Sequence, residues 1–290
     1  MSLHVPEHGR QDGPRDCGTF FLDVVGAFAR DAVETRWSDQ RRQSNDELAR
    51  LIDQAWEVAL WQAGKGGQTL FDGPMCRLIS YTAADGRFDM TLGPVSFKEF
   101  VGTNQTQAYV RYLHGPDILA DPLGVSAAVV TADGFLLLGR RSTHVVQYPE
   151  RLHPVGGTVE PAGGPEPPDP FQAMLDELVE ETGVGADRVG DITLLGLVRD
   201  KNTVQPELIF DLSVDVDAAA VKRGAATAVD AEEHSEIVPV RDHPAAVVTF
   251  LQQHFSELTP VGLATLLLHG QHHWGIGWFA AARGFLRSVI

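Results

Sequence analysis

The sequence predicts an α+β protein, in which a mixed sheet carries helices and follows a smaller α+β N-terminal domain. Three observations predict this class. Short apolar runs joined by Asp-Gly turns indicate hairpins, and capped amphipathic segments indicate helices. A hydrophobic content of 43% in a chain of 290 residues is enough for a substantial core. Strands and helices interleave in the second half, which favours a mixed sheet with helices packed on it.

The predicted organisation has three parts. Residues 1–18 are polar and show no periodicity, so we expect a flexible leader. Residues 19–118 are expected to form the N-terminal α+β domain, and residues 119–290 the second domain with its C-terminal helices. The first helix is predicted to begin at a capping box over 44–47, because Ser44 precedes Glu47 by three positions and an apolar face follows.

Two hairpins and two further strands follow from the apolar pattern. The first hairpin joins 75–81 to 87–92 across Asp85-Gly86, and the second joins 125–131 to 135–140 across Asp133-Gly134. Additional strands are predicted at 192–198 and 208–216, and helices at 170–182, around 243–254 and around 261–270.

The charge of the chain limits its partners. Its 23 basic and 39 acidic residues give a formal net charge of −16, which would repel a nucleic-acid backbone. We therefore expect a small-molecule partner and no nucleic acid. The same excess would also repel a diphosphate, so a phosphate enzyme of this composition needs bound metal or a local cluster of arginines.

The remaining composition predicts a protein of the cytoplasm. No apolar run reaches the roughly 18 residues of a membrane span, and residues 1–20 lack the apolar stretch of a signal peptide. Cys17 and Cys76 are too few for a disulfide framework and form no metal-spaced pair, so we expect two reduced thiols.

The helix at 170–182 has its limits written in the sequence. Asp169 is a natural N-cap, Pro170 suits the first helical position, and Gln172 can complete a capping-box-like pair. Gly183 can adopt the left-handed conformation that ends a helix.

This helix carries three carboxylates near its C-terminal end. Glu177 precedes Glu180 and Glu181 by three and four residues, so all three project toward one side. Like charges at this spacing repel, and they also oppose the helix dipole, which favours a compensating cation such as Mg²⁺. The alternative is an ordinary solvated acidic face.

The segment 156–184 resembles the Nudix box, the signature of the Nudix hydrolases. Gly157 matches its opening glycine, and 177–184 match its closing half in full. Two departures stand out. Asp176 replaces the box arginine, a usual partner that orients the catalytic glutamate, and the loop before the helix is about five residues longer than the box. The first box glutamate therefore has no assigned counterpart. This resemblance implies a Nudix α/β/α sandwich with a mixed sheet.

The resemblance extends to one branch of the superfamily. Residues 121–125, 133–142 and 156–161 are similar to Nudix hydrolases acting on UDP-glucose and UDP-galactose, and 100–104 are similar to a Gly-Thr-Asn element of the same proteins. That branch shares the lengthened loop and the missing arginine. The resemblance implies hydrolysis of a UDP-sugar to UMP and a sugar 1-phosphate.

The resemblance also implies residue roles. The metal ligands would be the carboxylates of Glu177, Glu180 and Glu181 and the carbonyl of Gly157, holding Mg²⁺ or alternatively Mn²⁺. Glu177 and Glu181 would also act in catalysis. A further carboxylate on a remote loop commonly assists, and Glu233 and Glu236 are equal candidates here, unless their acidic segment is simply solvated.

Substrate contacts are predicted at two places. Arg140 and Arg141 close a strand and could reach phosphate oxygens, although consecutive strand residues face opposite sides. Gly102, Thr103 and Asn104 could contact nucleotide or sugar, but a structural turn explains these residue types without a ligand and is the interpretation we favour.

The histidines at 269, 272 and 273 invite a metal interpretation. We favour a partly buried helix end instead, because the sequence indicates no hydrogen-bonded partners to support a ligand set.

Two functional alternatives stay open. One is a Nudix hydrolase of ADP-ribose, NADH or a coenzyme A derivative. The other is a non-catalytic sensor that binds a nucleotide sugar. The sequence is compatible with a monomer or a homodimer.

Overall fold

The computed structural model describes residues 14–66, 69–163 and 166–286. A nine-stranded sheet is ordered β1-β2-β10-β11-β6-β7-β12, with β9 paired to β6 and β8 to β7. Its strands are β1 Arg15–Asp16, β2 Phe20–Phe28, β6 Gly124–Val130, β7 Phe135–Arg141, β8 Leu152–His153, β9 Val155–Thr158, β10 Val189–Asp200, β11 Pro206–Val214 and β12 His234–Arg241. The sheet is mixed, since β11 and β6 run parallel whereas their neighbours are antiparallel.

A three-stranded sheet, ordered β3-β5-β4, forms a smaller unit. Its strands are β3 Val33–Trp37, β4 Pro74–Ala84 and β5 Arg87–Ser96. It is accompanied by α1 Asp46–Lys65, α2 Phe97–Gly102 and α3 Gln107–His114. The predicted Asp-Gly hairpin is confirmed: Asp85 and Gly86 have φ of 51° and 74°, the positive values that a tight hairpin turn requires.

Helices cover both faces of the large sheet. These are α4 Pro170–Thr182, α5 Ala218–Ala225, α6 Pro244–His254 and α7 Pro260–Leu286. Alternate residues of a strand point to opposite faces. On β11, Leu208 and Phe210 pack in the cluster that contains α4 residues, whereas Ile209 packs with α6 and α7. The predicted α+β sandwich is therefore confirmed.

The first residues of the predicted N-terminal domain, which we expected to begin at residue 19, belong to the large sheet instead. Strand β2 pairs with β10 of the large sheet, so the first long strand belongs to the second unit. Of the predicted leader, residues 1–13 lie outside the described residues, while β1 pairs with β2. Because β2 lies far in sequence from β10, local pattern alone does not reveal this pairing.

Helix α1 begins one residue later than its predicted cap. Asn45, not Ser44, is the N-cap, and its Oδ1 accepts a hydrogen bond of 2.8 Å from the amide of Leu48. Two adjacent residues with equal capping chemistry compete here, and the amide side chain occupies the cap.

Helix α4 matches its predicted limits. Asp169 accepts hydrogen bonds from the amides of Phe171 and Gln172, and Gly183 ends the helix with φ of 71°. The side chain of Gln172 binds Asp176 instead of completing a capping box. Phe171 is 1% exposed and packs edge-on against Phe210 at 5.0 Å. Burial of a side chain of this size contributes roughly 1.5–3 kcal/mol, which fixes the helix on the sheet and positions its carboxylates.

Candidate active site

The three carboxylates of α4 occupy different depths. Glu181 is 3% exposed, Glu177 is half-buried and Glu180 is exposed. The helix face that carries them contacts β9, the strand that contains the two glycines. The carboxylates therefore form a gradient from the protein interior to its surface.

Paired glycines bring β9 against these carboxylates. The amide of Gly156 donates to Oε1 of Glu181 at 3.3 Å, and the amide of Thr158 donates to Glu177. A Cβ at Gly157 would overlap the carboxylate of Glu177, and one at Gly156 would overlap the carbonyl oxygen of Val125. Only residues without side chains allow this approach, so the structure brings Glu177 and Glu181 to the glycine pair.

The negative charges of Glu177 and Glu181 are unfavourable in this environment. Burial, and next the charge of Glu233, raise the pKa of Glu177 to about 8. Burial and the charge of Glu177 raise the pKa of Glu181 well above its usual range. Its Oε2 atom has no hydrogen-bond partner among the residues that the structure describes. Such a cluster is stabilised by a cation, because a cation removes the repulsion between the carboxylates.

A cavity of about 780 Å³ opens beside the cluster. Its polar wall includes Glu177, Glu180, Glu233 and Arg141, and its other side is apolar. The apolar lining residues come largely from the smaller unit and the segment before β4: Leu70, Phe71, Met75, Phe97 and Phe100. The site is thus a cleft between the two sheets.

The two candidate loop carboxylates are separated by the structure. Glu233 lines the cavity, and its charge raises the pKa of both Glu177 and Glu181, so it lies close to them. Glu236 lies on β12, with a side chain that is 51% exposed and 3.8 Å from Lys222. It is not part of the described cavity wall.

The two arginines at the end of β7 diverge, as alternation along a strand requires. Arg141 lines the cavity, and its Nε donates to the carbonyl of Gln147 at 2.9 Å. Arg140 instead pairs with Glu257 at 2.8 Å and donates to the carbonyl of Glu150. It is therefore held away from the cavity.

The Gly102-Thr103-Asn104 element lies in the interior and not at the cavity wall. Thr103 and Asn104 are fully buried. Asn104 donates to Asp121 at 3.0 Å and to the carbonyl of Thr203 at 2.9 Å. A Cβ at Gly102 would overlap the backbone of Ile52. These contacts connect the smaller unit to the large sheet. They also occupy the side-chain amide of Asn104, which is the group that a substrate contact would need.

The C-terminal histidines form a hydrogen-bonded cluster rather than a simple helix end. His269 is fully buried, with Nδ1 at 2.5 Å from Asp211 and Nε2 at 3.0 Å from Asp242. His273 contacts the other oxygen of Asp211 at 3.0 Å. Both ring nitrogens of His269 therefore have carboxylate partners, contrary to the expectation that such partners are missing. An imidazolium satisfies the arrangement without a metal ion.

Sequence reasoning missed one wall of the cavity. Glu207 and Asp200 are buried there, and Tyr148 donates to Asp200. Tyr148 and Val204, near this wall, have φ of 50° and 58°, left-handed values that are uncommon without glycine and are strained for the branched Val204. No turn signature in the sequence indicates these conformations.

Within the described ranges, no helix combines the length and apolar character that a membrane crossing requires.

Comparisons with known proteins test the predicted resemblance. No family model matches the chain. The human protein named uridine diphosphate glucose pyrophosphatase NUDT22 is 32% identical over 174 residues, covering 50% of this chain and 57% of that protein. Nudix hydrolase 9 of Arabidopsis thaliana is 24% identical over 281 residues, covering 83% of this chain and 82% of that protein.

A solved structure also matches over part of the chain. The MutT protein from Methanosarcina mazei is 21% identical with a TM-score of 0.35, covering 50% of this chain and 88% of its own. This chain spans only a little over half the length of the uridine diphosphate glucose pyrophosphatases that it matches. The sequence matches confirm the predicted resemblance: the chain is similar to Nudix hydrolases, including proteins named uridine diphosphate glucose pyrophosphatase.

Proposed function

We propose that this protein hydrolyses the diphosphate bond of a nucleoside diphosphate sugar, converting UDP-glucose or UDP-galactose to UMP and the sugar 1-phosphate. One observation carries the proposal: Glu177 and Glu181 meet a glycine pair at the edge of a cavity, with their pKa values raised by burial and by the charges of neighbouring carboxylates. Relatives that are named as uridine diphosphate glucose pyrophosphatases supply the substrate class.

The residues of the cluster fit a divalent cation. Oε2 of Glu181 is buried and accepts no hydrogen bond from the part of the chain that the structure describes, and Glu177 sits where a side chain at Gly157 would otherwise lie. Oxygen donors of this kind are the ligands that Mg²⁺ prefers, and Mn²⁺ accepts the same set. Glu177, Glu180, Glu181 and the carbonyl of Gly157 would hold the ion. When bound, it neutralises the diphosphate and makes phosphorus more susceptible to attack.

Glu233 is the proposed general base. It lines the cavity close to the other carboxylates, and burial raises its pKa, so it accepts a proton more readily than an exposed carboxylate. Water loses a proton to Glu233 as its oxygen bonds to phosphorus, and the bond to the bridging oxygen breaks. The leaving phosphate departs with the bridging oxygen.

Arg141 is the proposed phosphate contact. Among the described residues that line the cavity, it is the one with a guanidinium or ammonium group. A single guanidinium can bind one phosphate in a bidentate manner, but it cannot compensate a diphosphate in so acidic a cavity. The shortage of basic side chains therefore also favours a cation-dependent reaction.

The wall of Glu207 suits the sugar. Gly124 pairs with Thr158 on one side and with Glu207 on the other. Glu207 is therefore two strands, or about 10 Å, from Thr158, whose amide donates to Glu177. Carboxylate and amide groups there, including Gln205, can accept and donate hydrogen bonds to sugar hydroxyls. A second charged phosphate, such as that of a coenzyme A derivative, would meet repulsion at this wall.

The proposed function is tested by measuring hydrolysis of UDP-glucose directly. We expect wild-type protein with Mg²⁺ to convert UDP-glucose to UMP and glucose 1-phosphate, followed by ³¹P NMR, and Glu233→Gln to lower kcat by roughly 100-fold or more, as loss of a general base does. Asp176→Asn is the matched control on α4, because Asp176 is exposed and bound only to Gln172 among described side chains.

Three outcomes would redirect the proposal. Full activity of Glu233→Gln together with loss in Glu236→Gln would move the base to Glu236. Faster hydrolysis of ADP-ribose, NADH or a coenzyme A derivative would overturn the sugar assignment. Binding of UDP-glucose without any hydrolysis would favour the sensor.

A further inference from the structure

His234, at the start of β12, is a buried side chain with unused polar atoms. Its side chain is 5% exposed. Neither ring nitrogen has a hydrogen-bond partner among the residues that the structure describes. Burying polar atoms without partners is costly, so a position of this kind calls for an explanation.

The sequence makes room for this ring. His234 lies opposite the end of β7, where β12 has a register shift between His234 and Glu236. A Cβ at Gly139 of β7 would overlap the imidazole. Glycine is otherwise unfavourable inside a strand, so the position is explained by the close approach of His234.

The ring points at the deepest carboxylate of the site. Nδ1 of His234 lies 3.6 Å from Oε2 of Glu181, the oxygen without a hydrogen-bond partner in the described ranges, whereas Oε1 accepts from the amide of Gly156. This separation exceeds a hydrogen bond by about half an ångström. Hydrogen bonds of active sites are often long without substrate and tighten in the complex.

In the Nudix box that this segment resembles, an arginine orients the catalytic glutamate, but this chain has no arginine at that position. Asp176 occupies the arginine position of the box, is exposed and binds Gln172 at 2.8 Å. The charge of Arg141 lowers the pKa of Glu181, and Nε of Arg141 donates to the carbonyl of Gln147. Among the described residues, His234 is the basic side chain with a nitrogen within 4.0 Å of a carboxylate oxygen of Glu181.

We propose that His234 is a positioning residue that donates from Nδ1 to Oε2 of Glu181 and thereby performs the orienting task left by the missing arginine. The proposal rests on the proposed function for its catalytic consequence. Residues that orient metal-binding side chains typically contribute 10- to 100-fold in activity or metal affinity.

The test compares two substitutions of similar size. Asn can place its Nδ2 donor near the position of the histidine Nδ1, whereas Leu fills the space without a donor. We expect His234→Leu to lower kcat for UDP-glucose by about 10- to 100-fold with KM changed less than about threefold, and to weaken Mn²⁺ binding similarly. His234→Asn should recover most of both losses. Equal losses in both variants, or none in His234→Leu, would overturn the proposal.

A spectroscopic readout separates this proposal from the proposed function. Nitrogen-15 NMR of the wild-type ring should show the Nδ1-protonated tautomer, and the Nε2-protonated tautomer would overturn the proposal even if the variants fail to fold. If wild type hydrolyses no nucleotide sugar, the proposed function fails, while the tautomer and the Mn²⁺ affinities of wild type and variants still decide the role of His234.

Discussion

At the scale of single residues, the site depends on two glycines, because any side chain at their positions would overlap neighbouring atoms. Gly156 and Gly157 let β9 approach α4 so closely that backbone amides contact Glu181 and, through Thr158, Glu177. Neither glycine has the positive φ that would require glycine on conformational grounds. The two glycines leave the space that this close approach needs. The sequence motif contains the glycines but does not show what they make room for.

Replacement of Gly157 should therefore impair catalysis more than folding. In Gly157→Ala the added methyl group would displace the carboxylate of Glu177, and a displacement of about 1 Å can cost roughly 100-fold in rate. Steady-state kinetics with UDP-glucose and a thermal unfolding curve would measure both effects.

Gly163→Ala is the matched control, because no described atom lies within 4 Å of a Cβ at that position. Similar activity of the two variants would contradict the role that we assign to close approach at Gly157.

At the scale of elements, the helix that carries the carboxylates was predictable to the residue, whereas several strands were not. Asp169, Pro170 and Gly183 define α4 through local capping chemistry. Strand β12 contains Pro239, which weakens its strand pattern but is tolerated because β12 is the edge of the sheet. Strand β2 depends on its long-range partner β10, which sequence spacing does not identify.

The same distinction separates the predicted site residues. Glu177 and Glu181 share one helix, so their proximity follows from helical spacing. The choice between Glu233 and Glu236, and between Arg140 and Arg141, depends on which face of a strand or turn meets the cavity. The role of His234 depends on a gap at Gly139, which exists only after β7 and β12 pair.

Helix α7 is fixed to the sheet by His269. Burial alone would lower the pKa of His269, but the hydrogen bonds that its ring donates to Asp211 and Asp242 outweigh burial and raise the pKa from 6.5 to about 9. A raised pKa means that the folded state binds the proton more tightly, so this stabilisation is full below about pH 6.5 and is lost as pH rises through about 9.

We expect His269→Gln to lower the free energy of unfolding by roughly 3 kcal/mol at pH 6 and by much less at pH 9.5. Urea unfolding at several pH values measures the difference. The facing titratable groups are Asp211, Asp242 and His273. A difference between variant and wild type that is constant over this range would contradict a charged His269.

At the scale of the whole molecule, the site forms where two sheets meet. The smaller unit supplies the apolar side of the cavity, and the large sheet with α4 supplies the carboxylates. Asn104 connects the two units through its hydrogen bonds to Asp121 and to the carbonyl of Thr203. A formal net charge of −16 makes the molecule as a whole repel a diphosphate.

This charge makes the cation central to the function that we propose. The most direct measurement is anomalous X-ray diffraction from a crystal of the full chain soaked with Mn²⁺. We predict a peak contacted by Glu177 and Glu181 beside Gly157, absent after soaking Glu181→Gln under the same conditions. A peak confined to Asp211, His269 and His273, or no peak near α4 at saturating Mn²⁺, would contradict the account.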